Sequence, residues 1–243
     1  ALHPALGHVA GVYLAYACLA TRDLADEASG IAAALARGAL SGARHRLGRI
    51  VGRDTEELDA PAVSRAAIES VAENGSDGVI APLFYLALGG ALGWGPLLAL
   101  GYKAVNTLDS MVGYRTPRHE HLGKLSARVD DLANWVPARL TAVLVAGVSA
   151  LRGGSPGRVL LVVRRDGPEH SSPNSGFPEA AFAAALGVQL GGGALYRGVH
   201  RPAPLLGDPG PLPGAPQIRG SVHLRWWISA LGGMLASTNL SAF

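Results

Sequence analysis

The chain has 243 residues, of which 49% are hydrophobic, 16% charged and 6% aromatic, with 33 Gly, 16 Pro and a net charge of +3. The charged share lies well below the roughly 25% usual in soluble globular proteins. Disorder, a collagen and a disulfide-built miniprotein are excluded, and without any block of five or six basic residues nucleic acid is not an expected partner. The single cysteine, Cys18, forms no intramolecular disulfide and reads as a buried thiol.

Residues 1–21 carry no Lys, Arg, Asp or Glu, long enough for a first membrane span of about 20 residues, although His3, Pro4, Gly7 and His8 weaken its outer end. The start at Ala1 without a methionine reads as an N-terminal trim. Residues 22–78 predict helices: an Ala-rich one over 31–40, a basic one over 44–51, and one over 60–74 with Pro61 in its first turn. Along that last helix Glu69 and Glu73 lie four apart and share a face with Arg65. Asn74-Gly75 reads as its end, and Ser76 or Asp77 as a cap for the next, apolar helix, Asp77 serving equally well as a ligand.

Residues 79–102 are a second uncharged run, interrupted by Gly89-Gly90 and Gly93-Trp94-Gly95-Pro96. A straight helix here would set the carboxylates of 69–77 and the next polar cluster at opposite membrane faces. The break instead predicts a re-entrant hairpin or paired half-helices. In Tyr102-Lys103-Ala-Val-Asn106-Thr-Leu-Asp109-Ser110 the polar residues recur at three- and four-residue steps and form one stripe. His119-Glu120-His121 lacks the spacing of a zinc-protease motif and reads as an exposed loop.

Ser126-Ala-Arg128-Val-Asp130-Asp131-Leu-Ala-Asn134 places hard oxygen donors of the kind Mg²⁺ takes one turn apart, between Arg128 and Arg139. The arginines serve either as ion-pair partners or as bidentate clamps on phosphate or carboxylate. A third apolar run lies over 140–151. His170-Ser-Ser-Pro-Asn174-Ser-Gly-Phe-Pro178-Glu179 runs into an apolar helix, and its small residues either expose N–H groups to an anion or form a plain capped loop. Uncharged runs over 180–196 and 226–243 complete five candidate spans, while 201–216, with six prolines, reads as a loop. The expectation is an all-α, polytopic membrane bundle forming one domain, with a polar site between helices and a broken segment near 79–102. No P-loop, dinucleotide fingerprint or nucleophile elbow is present in the sequence.

Several strings together, Ile-Val-Gly-Arg-Asp-Thr (50–55), Ala-Ile-Glu-Ser-Val-Ala-Glu-Asn (67–74), Asp-Gly-Val-Ile-Ala-Pro-Leu-Phe-Tyr (77–85), Tyr-Lys-Ala-Val-Asn-Thr-Leu-Asp-Ser-Met-Val-Gly-Tyr (102–114), the stretch 126–142 and Ser-Pro-Asn-Ser-Gly-Phe-Pro-Glu-Ala-Ala (172–181), resemble the adenosylcobinamide-phosphate synthase family of cobalamin biosynthesis, CobD or CbiB. The likeness is collinear from about residue 20 to 200. It departs from the family in lacking the extra N-terminal apolar segment that members usually carry and in having Arg118-His-Glu-His-Leu-Gly123 where Tyr-x-x-Phe-Gly is commoner.

The resemblance implies an integral protein of the cell membrane, and the break in 79–102 predicts that both polar clusters face the cytoplasm, where ATP is. It further implies ATP- and Mg²⁺-dependent amide formation between adenosylcobyric acid, a corrinoid, and (R)-1-amino-2-propanol or its phosphate. Other late corrinoid-pathway enzymes and membrane lipid are the expected partners. On this reading Asp130, Asp131 and Asn134, with Asp109, attend Mg²⁺ and the nucleotide phosphates. Lys103, Arg128 and Arg139 contact phosphate or the substrate carboxylate, and Glu69 or Glu73 takes a proton from the attacking ammonium. Asn74, Asp77, Asn106 and Ser110 bind substrate, and His170, Asn174 and Glu179 hold the amino-alcohol phosphate. Three other classes compete: a Mg²⁺-dependent transferase acting on a lipid pyrophosphate, a corrinoid carrier, and a scaffold for corrinoid enzymes.

Overall fold

The computed structural model describes Tyr13, Leu19, residues 22–112 and residues 120–237. Nearly all of the first candidate span, with Cys18, and His119 lie outside the described residues. Helix α1 (Arg22–Ala36) buries Ala25, Ala28, Ile31 and Ala32 along one stripe, and Gly38, at φ 73°, turns the chain into α2 (Leu40–Leu47). Helix α1 stops short of its predicted end because the left-handed Gly38 cuts the Ala-rich run, and α2 stops at Leu47, short of 51.

Helix α3 (Ala60–Gly75) starts as its sequence dictates: Asp59 accepts the Ala62 N–H at 2.8 Å, and Pro61 occupies the first turn. Its predicted end is not an end. Asn74-Gly75 passes through a π turn, Ser76–Ile80, directly into α4 (Ala81–Gly90), and neither Ser76 nor Asp77 caps it. Pro82 explains the turn, since it offers no N–H while the Ala81 N–H reaches back to Ser76 O.

The break in the second apolar run is present. Helices α4 and α5 (Gly95–Val112) form a hairpin whose tip is closed by Trp94 N–H on Gly89 O at 2.6 Å and by Gly93 at φ 74°. A Cβ on Gly89 would lie 2.9 Å from the Gly95 Cα, so the two arms cross where only glycine fits. Helix α6 (Glu120–Ala133) begins where the sequence suggested a loop at Glu120-His121, and α7 (Trp135–Leu151) continues from it across a 43° bend at Asn134. Pro137, in the first turn of α7, removes the N–H that would have bonded Ala133 O.

Ser155 caps α8 (Pro156–Asp166), a 3₁₀ turn covers Gly167–Glu169, and α9 (Gly176–Leu186) ends on left-handed Gly187. The chain then makes two small antiparallel pairs, β1 (Leu190–Gly191) with β4 (Leu205–Leu206) and β2 (Ala194–Tyr196) with β3 (Val199–Arg201). These strands are too short to show alternation in sequence, and with α9 so brief the run over 180–196 is not a span. The described part of the last run, to Ser237, belongs to α10 (Ala215–Ser237), whose first half carries Arg219, His223 and Arg225.

The architecture is mostly helical, as expected. Its core is shared by α1, α3, α7, α8, α9 and α10, with Ile31, Ile68, Val145, Phe182 and Ile218 removed from solvent, each contributing about 1.5–3 kcal/mol in hydrophobic burial. Among the described residues no single helix is long and apolar enough to cross a membrane. The bent pair Gly123–Ala133 with Trp135–Leu151 meets that test by length and composition. Leu88, Leu92, Trp94 and Leu97 on the hairpin and Leu125, Val129, Leu132 and Trp135 on α6–α7 are exposed.

Candidate active site

A cavity of about 520 Å³ opens where the end of α3, the base of the hairpin and the α6–α7 bend meet the loop before α9. Five carboxylates line it: Glu73 from the last turn of α3, Asp77 from the π turn, Asp109 from α5, and Asp130 and Asp131 from α6. Among the described residues no Lys or Arg lines it. Asn106, Ser110 and Asn134 fill the gaps between the acids, and the segment from Ser171 to Ser175 forms the opposite, hydroxyl-rich wall. The hairpin thus brings the cluster at 73–77 and the stripe at 106–110 to one space.

The π turn aims Asp77 inward. Burial holds its carboxyl well above the ordinary carboxylate range, Glu73 and Asp130 push further in the same direction, and Ser76 and Lys103 partly oppose them. Asp130 is gripped by two neutral donors, Asn106 Nδ2 to Oδ1 at 3.3 Å and Asn134 Nδ2 to Oδ2 at 2.9 Å. Asp109 Oδ1 is buried and has no hydrogen-bond partner. Glu73, at the rim, accepts the Ser175 hydroxyl at 3.1 Å on Oε1.

Other expected site residues take different positions. Glu69 is 5% exposed and lies outside the cavity: its Oε2 pairs with Arg53 Nη1 at 2.8 Å and its Oε1 accepts the Gly191 N–H at 2.7 Å. Its oxygens are committed to holding β1 against α3. Glu179 is buried behind the wall, with its carboxyl raised by burial and then by Glu69 and Glu73, Arg53 opposing. Asn74 turns back on its own helix, donating to Ser70 O at 3.0 Å. Lys103 is near enough to act on Asp77 without lining the cavity, and Arg128 is exposed outside it.

Arg139 does not clamp the cavity. Its guanidinium is sandwiched between Trp135 and Phe177, 4.2 and 4.0 Å from their centroids, and donates to Trp135 O at 2.7 Å and Asn174 Oδ1 at 3.5 Å. Asn174 in turn donates to Asp131 O at 2.7 Å, tying the loop to α6. The expected amide nest before α9 is closed: the Asn174 and Ser175 N–H groups bond Ser172 Oγ, the Ser172 N–H bonds His170 Nδ1, and those of Phe177 and Glu179 bond Asn174 O and Ser175 O. That arrangement is the plain capped loop, and the wall faces the cavity with hydroxyls.

Asn134 is 1% exposed, and its Oδ1, the atom able to meet a metal, already accepts the Tyr102 hydroxyl at 2.8 Å. It serves Asp130 as a donor. Sequence reasoning assigned nothing to Tyr102, Ser172, Ser175 or Arg53. Tyr102 was legible as one more turn of the 106–110 stripe, four residues before Asn106. Among the described residues no three Asp, Glu, His or Cys side chains already converge on one point fit for a metal ion. The acids are spread round the wall, yet the all-oxygen donor set and the orphaned Asp109 oxygen suit a hard divalent cation such as Mg²⁺.

The CobD/Cbib protein family model matches residues 1–225. The chain is 51% identical over 236 residues to the cobalamin biosynthesis protein CobD of Geobacter metallireducens, covering 97% of this chain and 73% of that one. It is 47% identical over 234 residues to its namesake from Yersinia enterocolitica (96% and 72%), and 44% identical over 236 residues to that of Streptococcus sanguinis (97% and 73%). No solved structure matches the chain.

Proposed function

The chain belongs to the CobD/Cbib protein family, whose curated members are cobalamin biosynthesis proteins, and from that premise we propose that it is an ATP-dependent, amide-forming ligase of that pathway. The substrates are adenosylcobyric acid and (R)-1-amino-2-propanol or its phosphate. The observation that carries this reading is the cavity's charge, five carboxylates with no Lys or Arg among the described lining residues. Such a cluster either holds protons or meets cations, and the magnesium complex of a nucleotide supplies cations together with the phosphates they bridge.

Asp109, Asp130 and Asp131 would hold the metal. Mg²⁺ held there would offset charge on the nucleotide phosphates and favour phosphoryl transfer from ATP to the substrate carboxylate, ADP leaving, to give an acyl phosphate from which the amine displaces phosphate. Glu73 sits at the rim with Oε1 oriented by Ser175, placed to take the proton released as the amine attacks. Asn106 and the hydroxyls of Ser171, Ser172 and Ser175 supply the neutral donors and acceptors that orient substrate.

We place the protein at the cytoplasmic face of the cell membrane. From Asn106 to the tip at Gly95 is 11 residues, about 17 Å of helix, against roughly 30 Å of hydrocarbon. The hairpin therefore reaches into one leaflet without crossing it, with exposed Leu92 and Trp94 at its tip and the acidic cavity at its base on the side where ATP is found. The test is product formation by the purified, detergent-solubilised protein given both substrates, ATP and Mg²⁺. Amide product from the parent and none from folded Asp131→Ala is expected; no product from folded parent protein refutes the ligase reading.

A further inference from the structure

We propose that Tyr102 is a positioning residue of this cavity, acting through Asn134 to hold the Asp130 carboxylate in the orientation that meets a divalent cation. The inference rests on the metal–nucleotide reading above and adds to it a residue that contacts neither metal nor substrate.

Two prolines set the problem. Pro82 offers no N–H and the Ala81 N–H goes to Ser76 O, so the Asp77 carbonyl is left without a helical donor. Pro137 leaves Ala133 O in the same condition. Each orphaned carbonyl is taken by a tyrosine of the hairpin: Tyr102 donates to Asp77 O at 3.0 Å, and Tyr85 to Ala133 O at 2.9 Å. The two rings stack across the arms at 5.1 Å and 14°. The hairpin therefore grips both irregular backbone segments that shape the cavity, the π turn and the α6–α7 bend.

The Tyr102 hydroxyl does one thing more. It also reaches Asn134 Oδ1 at 2.8 Å, so its single proton lies between two acceptors. With Oδ1 so engaged, the Asn134 amide turns its NH₂ toward Asp130 Oδ2 at 2.9 Å. The flipped amide would face a carboxylate with a carbonyl, and at 1% exposure no bulk water is present to repair that contact. The second donor to Asp130, Asn106, stands one turn beyond Tyr102 on the same face of α5. One stripe of α5 thus fixes both Asp130 oxygens, one directly and one through Asn134. Groups that orient ligands in this way typically govern metal affinity by 10- to 100-fold.

The experiment is calorimetric titration of the full chain in detergent with Mn²⁺ alone, comparing the parent with Tyr102→Phe, Asn134→Leu, the double variant, Tyr85→Phe and Asp130→Ala. Tyr102→Phe keeps the ring stack and weakens Mn²⁺ binding about 10-fold. The double variant is no weaker than Asn134→Leu alone, the non-additivity expected when one residue acts through the other, whereas a general structural role would give additive losses. Tyr85→Phe removes the bond to Ala133 O but not the link to Asn134, and weakens binding less than Tyr102→Phe. Unchanged affinity in Tyr102→Phe beside lost affinity in Asp130→Ala overturns the inference and leaves the metal reading standing, as do additive losses. Absence of Mn²⁺ binding by the folded parent overturns the metal reading and this inference with it. Should Tyr102→Phe fail to fold, Asn134→Leu removes the same link from its other end, and retained affinity there refutes the role.

Discussion

Glu69→Ala separates a structural carboxylate from a catalytic one. Glu69 and Arg53 form an ion pair at 2.8 Å, with side chains 7% and 20% exposed, and the second Glu69 oxygen holds the Gly191 N–H at 2.7 Å. Removing one partner of a buried pair costs about 3–5 kcal/mol, because the other charge is left without compensation. Here Arg53 Nε already lacks a partner, so the guanidinium would have no bond to fall back on at that edge. The orphaned Gly191 N–H belongs to the same network, and its own cost of about 1–3 kcal/mol overlaps with the first. A loss of about 4 kcal/mol is a large share of the roughly 5–15 kcal/mol of a typical fold. At about 2–4 °C per kcal/mol for a chain of this size it lowers Tm by about 8–16 °C. Glu69→Gln keeps the shape and an acceptor for Gly191, and should fall between the parent and Glu69→Ala. The assay is thermal unfolding monitored by circular dichroism in detergent, with Mn²⁺ titration on the protein that remains folded. A Glu69→Ala protein with Tm within about 2 °C of the parent and no amide-forming activity would refute the structural assignment and return Glu69 to the chemistry.

Burial raises the Asp77 carboxyl, so the folded state holds its proton above pH ~3.9, where the unfolded chain has lost it. Stability therefore falls as pH climbs from there to the raised pKa, and Asp77→Asn should be more stable than the parent at pH 7.5, the gap closing on acidification in pH-dependent melts. Asp166 has the opposite sign: its hydrogen bonds to Arg165 and the Gly207 N–H depress its pKa, so the stability it contributes is present above pH ~3.9 and lost as pH falls through the depressed value. Asp166→Asn should flatten the acid limb of the same stability profile. Gly89→Ala drives a Cβ to 2.9 Å from the Gly95 Cα and should open the hairpin tip, destabilising by about 1–3 kcal/mol, read as lowered Tm. If the hairpin is re-entrant, cysteines placed at Glu73 and Asp109 react with an impermeant thiol reagent from the cytoplasmic side in inside-out vesicles; labelling from opposite sides sinks the shared cavity.

The local signals in the chain had local causes, and those were legible. Asp59 and Pro61 start α3, the glycines at 89–95 break the second apolar run, and period-3.6 spacing lines Asn106, Asp109 and Ser110 on one face. Sequence alone read Asn74-Gly75 as a stop. The chain instead continues through a π turn, because the bond that the Asp77 carbonyl lacks is supplied by Tyr102, 25 residues further along the chain, and no local pattern encodes such a partner. The candidate span over 180–196 failed for a similar reason: apolar composition reports burial, and its first residues are buried against protein, whereas in the described part of 226–243 Trp226, Trp227, Met234 and Leu235 on α10 stay exposed.

What the sequence determined by itself was therefore the family, the helices, the hairpin break and the set of polar side chains near the site. Tertiary structure alone decided their division of labour. Glu69 and Glu73 are one helical turn apart and chemically identical, yet the first meets Arg53 and the Gly191 amide while the second meets Ser175 and an open cavity. Helical periodicity puts both on one side of α3. Which of them stays free for chemistry depends on the elements that pack against each turn, β1 at one and the loop before α9 at the other, and those arrive from more than 100 residues along the chain.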